Sequence, residues 1–151
     1  MSNDLRPIAR HEAGHFVAAM RLGHRLDFVT ILPEGDRIGL AVTSAGPAIL
    51  GRSRRRSLES AVVFLSGPAA EGRFVDSVSP SCADSDGFSA RLQLGGADGD
   101  KLDRRIAVAQ RFAEALVKRW RPDIERLADA LLVRKRLTGD DVIALLAAHG
   151  N

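Results

Sequence analysis

The five residues His11-Glu12-Ala13-Gly14-His15 constrain this chain more than any other stretch. On an α-helix, positions i and i+4 share one face, so His11 and His15 can aim two imidazoles at one point. Glu12 lies about 100° round the helix from His11, beside that point rather than on it. Two imidazoles flanked by a carboxylate suit a divalent metal with a general base next to it, placed to take a proton from water that the metal activates. The flanking residues predict a helix over 5–22. Pro7 suits a first turn, Asn3 or Asp4 can cap it, and Ile8, Phe16, Val17 and Met20 supply apolar positions before a stop at Gly23. Gly14 is a poor helix former, so its place in the motif predicts close approach of another segment or of a substrate. The plain alternative is an amphipathic helix that carries two histidines by chance. It must still put three specific side chains into one turn.

Two histidines do not complete a catalytic zinc site, which usually has three protein ligands and one open position. A third histidine six residues after His15 would make the metzincin pattern, but that position is Arg21. His24 lies past Gly23 and reads as a surface or turn residue. Glu71, in Ala69-Ala70-Glu71, qualifies if a second helix faces the first. Asp100, in Gly96-Ala97-Asp98-Gly99-Asp100, is the other candidate.

Several ordered blocks resemble the M41 peptidase domain of the FtsH-type, membrane-anchored, ATP-dependent zinc proteases. His11 to His15 matches that family's HEAGH. Val29-Thr30-Ile31-Leu32-Pro33, with Ile38-Gly39-Leu40, resembles its V-[ST]-I-x-P strand and later L-G. Leu65 to Glu71 is similar to its L-x-G-R-A-A-E, and Gly96-Ala97 with Asp100 to its G-A-x-x-D. Leu131-Leu132 through Leu137-Thr138-Gly139-Asp140-Asp141-Val142 resembles its C-terminal block. The resemblance implies one Zn²⁺ per chain held by His11, His15 and Asp100. Glu12 would be the base, and Glu71 a partner that orients a ligating histidine. It implies an endopeptidase acting on unfolded polypeptides, or on chains that a separate unfoldase or adaptor delivers, and it leaves room for a homo-oligomer.

The departures from the family pattern matter. Pro68 stands where the family has arginine and should kink that helix. The stretch from the Asp100 helix to the C-terminal helices is shorter than in the full-length proteases. No G-x-x-x-x-G-K-[ST] loop occurs to cradle ATP phosphates. Only ten residues precede His11, which predicts neither a motor nor a membrane anchor. At 151 residues the chain fits one domain, 1–151, with a sizeable core. It has no apolar run of the ~20 residues that a membrane span needs, and no signal peptide. The single cysteine, Cys82, excludes an intramolecular disulfide and fits a reducing cytoplasm. It sits in a Ser/Asp-rich stretch and reads as incidental.

The pattern beyond the motif predicts strands over 27–32 and 37–43 around the turn 33–36, and an apolar second helix over 57–75. A long Ser/Asp/Gly-rich loop follows over 76–99, then a third helix over 100–120. A fourth opens at Pro122, and a last short one starts at Thr138 with a capping box to Asp141. Helices around a small sheet, with a C-terminal helical bundle, make this an α+β fold, mainly helical. Net charge is +3, with basic groups at Arg52/Arg54–Arg56, Lys118/Arg119/Arg121 and Arg134–Arg136. Such groups can contact phosphates. Yet Lys101, Lys118 and Lys135 are the only lysines among the 22 basic residues, and acidic residues are nearly as numerous. Solvated helix ends explain the groups better than nucleic acid does, and no aromatic interleaving marks a nucleic-acid module. Three function classes stand in order: zinc endopeptidase, metal-keeping regulatory module that cleaves little, and Arg-rich nucleic-acid-associated protein with a structural metal. An intact Glu12 favours the first, because a structural site needs no base.

Overall fold

A computed structural model describes residues 4–43, 53–72, 82–95 and 99–148, with backbone alone for 82–85. Helix α1 spans Arg6–Arg21 with Pro7 in its first turn. The capping position is Leu5, and Asp4 Oδ1 accepts the Arg6 N–H at 3.0 Å. Gly23, at φ 76°, turns the chain out of the helix. Strands β1 (Leu26–Glu34) and β2 (Arg37–Thr43) then form an antiparallel hairpin, with Glu34 opposite Arg37 and Leu26 opposite Thr43.

Helix α2 spans Arg54–Ala70, and Ser53 caps it by accepting the Arg56 N–H at 3.2 Å. The predicted continuation over 73–75 lies outside the described residues. Pro68 sits in the last turn of α2, where its missing N–H removes the bond to the carbonyl four residues earlier. Helix α3 (Cys82–Gln93) occupies half of the stretch expected to be loop. Helices α4 (Gly99–Arg119), α5 (Arg121–Arg134) and α6 (Gly139–Ala147) follow. The Thr138/Asp141 capping box at α6 is formed in both directions.

A short strand, β3 (Arg136–Thr138), was not expected. It pairs antiparallel with β1 through Phe28, Val29 and Thr30, giving the sheet order β2-β1-β3. Among the described residues β1 is therefore central, with β2 and β3 on either side of it.

The architecture is α+β and mainly helical. One core packs α1 through Ala9, Ala13, Phe16 and Val17 against Val29 and Ile31 of β1 and Ile124, Leu127 and Leu131 of α5. A second joins Ala61, Val62 and Leu65 of α2 to Ala90 and Leu94 of α3 and Ala109 and Ala113 of α4. Ala18 and Ala19 of α1 meet Val63 of α2 between them. The motif helix thus belongs to the first core and abuts α2, which carries the second. Among the described residues, no helix is long and apolar enough to cross a membrane.

Candidate metal centre

The HEAGH residues lie at the crossing of α1 with α2, and two glycines make that crossing possible. A Cβ on Gly14 would stand 2.5 Å from Ser66 O and 2.6 Å from the Ala70 Cβ. The expected close approach is therefore that of α2. A Cβ on Gly67 would run into the His15 ring, so that imidazole packs directly against α2 at a residue without a side chain.

Each histidine is oriented through Nδ1. His15 Nδ1 is 2.8 Å from Val63 O, an acceptor only, so Nδ1 carries the hydrogen. His11 Nδ1 donates to the Glu71 carboxylate, Glu71 being the residue that ends α2. In the neutral tautomers both Nε2 atoms then present lone pairs inward. They stand 3.1 Å apart. Asp86 Oδ2, from α3, completes the triangle at 2.8 Å from His11 Nε2 and 3.2 Å from His15 Nε2. This oxygen is buried and has no well-directed hydrogen-bond donor.

Three inward-facing acceptors repel one another unless a cation sits among them. Ligands at about 2.0–2.2 Å around a tetrahedral zinc would stand roughly 3.3 Å apart, close to these separations. His11, His15 and Asp86 therefore fit a metal by both spacing and donor chemistry.

Without a metal, the same crowding is relieved by protons. Burial pushes His11 down, but Asp86 and Glu71 outweigh it and hold the imidazole up at about 10. Burial likewise raises Asp86, and the two histidines more than reverse this, bringing it to about 2. Glu12 is 6 % exposed, and burial raises its pKa against the pull of His15 and His11. Gly39 of β2, at φ 103°, packs on it, and a Cβ there would lie 2.7 Å from Glu12 Oε1.

Two expectations change. Asp100 is exposed in the first turn of α4 and lies outside the cluster. The carboxylate beside the imidazoles is Asp86, which sequence reasoning missed. Gly96 and Ala97, which pointed to Asp100, lie outside the described residues. The overlooked signal is the buried spacing Gly87, Ala90 and Leu94, which marks a helix with Asp86 at the edge of its inner face. His24 is not a surface residue. It is 7 % exposed, and its Nε2 is 3.9 Å from Glu59. Cys82 starts α3.

No protein-family model matches the chain. It is 35% identical to the ATP-dependent zinc metalloprotease FtsH 1 of Symbiobacterium thermophilum, over 91% of this chain and 28% of that protein. It is 33% identical to two further ATP-dependent zinc metalloproteases, FtsH 3 and FtsH 1 of Phytoplasma mali, over 52% of this chain and 14% of each relative. The chain thus spans little more than a quarter of the first relative's length. Its sequence is related to a segment of the FtsH zinc metalloproteases.

Proposed function

We propose that this chain is a zinc-dependent endopeptidase domain that hydrolyses unfolded polypeptides, or chains delivered by a separate unfoldase or adaptor. The observation that carries this reading is the convergence of His11 Nε2, His15 Nε2 and Asp86 Oδ2 with Glu12 on the same helix turn. His11, His15 and Asp86 would hold the ion, Asp86 taking the place first expected of Asp100. Bound zinc would supply Lewis acidity that lowers the pKa of water and polarises the scissile carbonyl. Glu12 takes the proton of the attacking water and returns it to the leaving amine. Its burial raises its affinity for that proton, which suits a group that must accept one and pass it on. Glu71 and Val63 O hold the two imidazoles in the tautomer that faces Nε2 inward. An extended substrate can add as a strand along β2, whose side away from β1 carries no other strand among the described residues, with backbone groups giving most of the binding and little sequence preference.

The test is cleavage of a reduced, carboxymethylated protein by zinc-loaded wild type, beside the chelated protein and Glu12→Gln. Cleavage that needs zinc and vanishes in Glu12→Gln supports the reading. A zinc-loaded wild type that cuts no unfolded substrate would replace it with a metal-keeping regulatory module.

A further inference from the structure

Arg121 belongs to a basic group that the charge pattern sets apart, and the proposed reaction does not use it. Its Nη1–H donates to Ala70 O at 2.9 Å. Ala70 is the last residue of α2, and its carbonyl is one of the acceptors that a helix C-terminus leaves without an intrahelical partner. The next residue is Glu71, which holds His11. One turn along α5, Glu125 accepts from Arg10 Nε through both oxygens, at 2.8 and 3.1 Å. Arg10 is the residue before His11. Arg121 and Glu125 are themselves 3.8 Å apart. Helix α5 therefore grips α1 and α2, each at the residue adjoining one half of the His11–Glu71 pair.

We infer that Arg121 and Glu125 are positioning residues for the metal centre. They fix the separation of α1 and α2 where His11 meets Glu71, and so keep His11 Nε2 aimed at the point shared with His15 and Asp86. A half-exposed ion pair contributes little to global stability, so a merely structural role would leave the His11 imidazole unchanged. The inference rests on the zinc reading for one of its two measurements. The other is made on metal-free protein.

In metal-free protein with ¹⁵N-labelled imidazoles, NMR follows exchange of the His11 Nδ1–H proton with water. Arg121→Ala should speed that exchange by about tenfold with the fold intact, because a loosened hydrogen bond opens more often. Arg121→Lys, which can still donate to Ala70 O, should restore most of the protection. Glu125→Gln gives the same reading if Arg121→Ala does not fold. In competition with a chromophoric chelator, Arg121→Ala should bind zinc about tenfold more weakly, the low end of the range for groups that orient metal ligands. It should lose nothing further in a Glu71→Ala background, which removes the acceptor, since both changes act through one hydrogen bond. Unchanged His11 exchange in a folded Arg121→Ala, or fully additive losses in the double variant, overturns the inference. If wild type takes up no zinc, the metal reading falls while the exchange measurement still decides the brace.

Discussion

A carboxylate serves a metal only if its oxygen stands at the right point, and Asp86 and Asp100 differ in that respect. Asp86 Oδ2 lies within 3.2 Å of both imidazole nitrogens, whereas Asp100 is exposed on α4. Asp86→Ala should therefore abolish tight zinc binding and Asp100→Ala should leave it intact, as read by elemental analysis after dialysis. The reverse pattern would return the ligand role to Asp100. At Glu12, replacement by Gln removes the proton acceptor but keeps the size. Zinc content should hold while turnover falls by about 10²-fold or more, the usual worth of a general base. Proton competition sets a further expectation. The metal-free His11 holds its proton up to about 10, so metal entry at neutral pH must displace it. Zinc affinity should rise from about pH 6 to about pH 8, and isothermal titration in buffers of different ionisation heat should register proton release. Affinity flat across that range would show that no proton leaves.

At the scale of elements, the α1–α2 crossing depends on bare backbone. A methyl at Gly14 would meet a main-chain carbonyl, which cannot swing aside as a flexible side-chain end can. Gly14→Ala should cost about 1–3 kcal/mol, the range for overpacking, as a lower urea midpoint. The start of α6 offers a milder test. Thr138→Ala removes a side-chain cap worth about 1 kcal/mol. The Thr138 backbone N–H and hydroxyl hold the Asp141 carboxyl below its usual range. A depressed folded pKa means this contribution is present above the unfolded pKa of about 4 and is lost as pH falls through the folded value. The stability gap between wild type and Asp141→Asn should therefore narrow below about pH 4. These elements also mark how far sequence reaches. α1, the hairpin and the α6 cap are written in local signals: Pro7, Gly23, Gly35 and the Thr138–Asp141 pair. β3 is not, because three residues carry no period and their partner β1 lies more than a hundred positions away. α3 is not legible because Asp84, Ser85, Asp86 and Gly87 are weak helix formers, and packing on α2 holds it helical. With 82–93 read as loop, nothing places Asp86 beside the imidazoles, and Asp100, which fits the G-A-x-x-D block, becomes the carboxylate the sequence favours.

At the scale of the molecule, much of the arginine content is engaged internally. Arg6 pairs with Asp129, Arg21 with Asp123, Arg91 with Asp103 and Arg126 with Asp123. This fits an acidic count close to the basic one. The candidate ligands come from α1 and α3, with α2 orienting both histidines, so a bound ion would tie separate helices together. Chelation should then lower the melting temperature, since a ligand at about 1,000 times its Kd stabilises by roughly 4 kcal/mol. A melting curve indifferent to chelator would mean that the ion, if bound, holds nothing together. Finally, α1 lies in the first core and, through Ala18 and Ala19, also packs on Val63 of α2, the helix that carries the second core. Its backbone amides can open to solvent only when the sheet side and the helical side yield together. Deuterium should therefore enter α1 last and at the rate of global unfolding, while α6, packed on one side, fills earlier. The residues proposed for chemistry ride on the slowest-breathing part of the protein. On the proposed reading, whatever flexibility a substrate requires must come from the strand it would add to, β2.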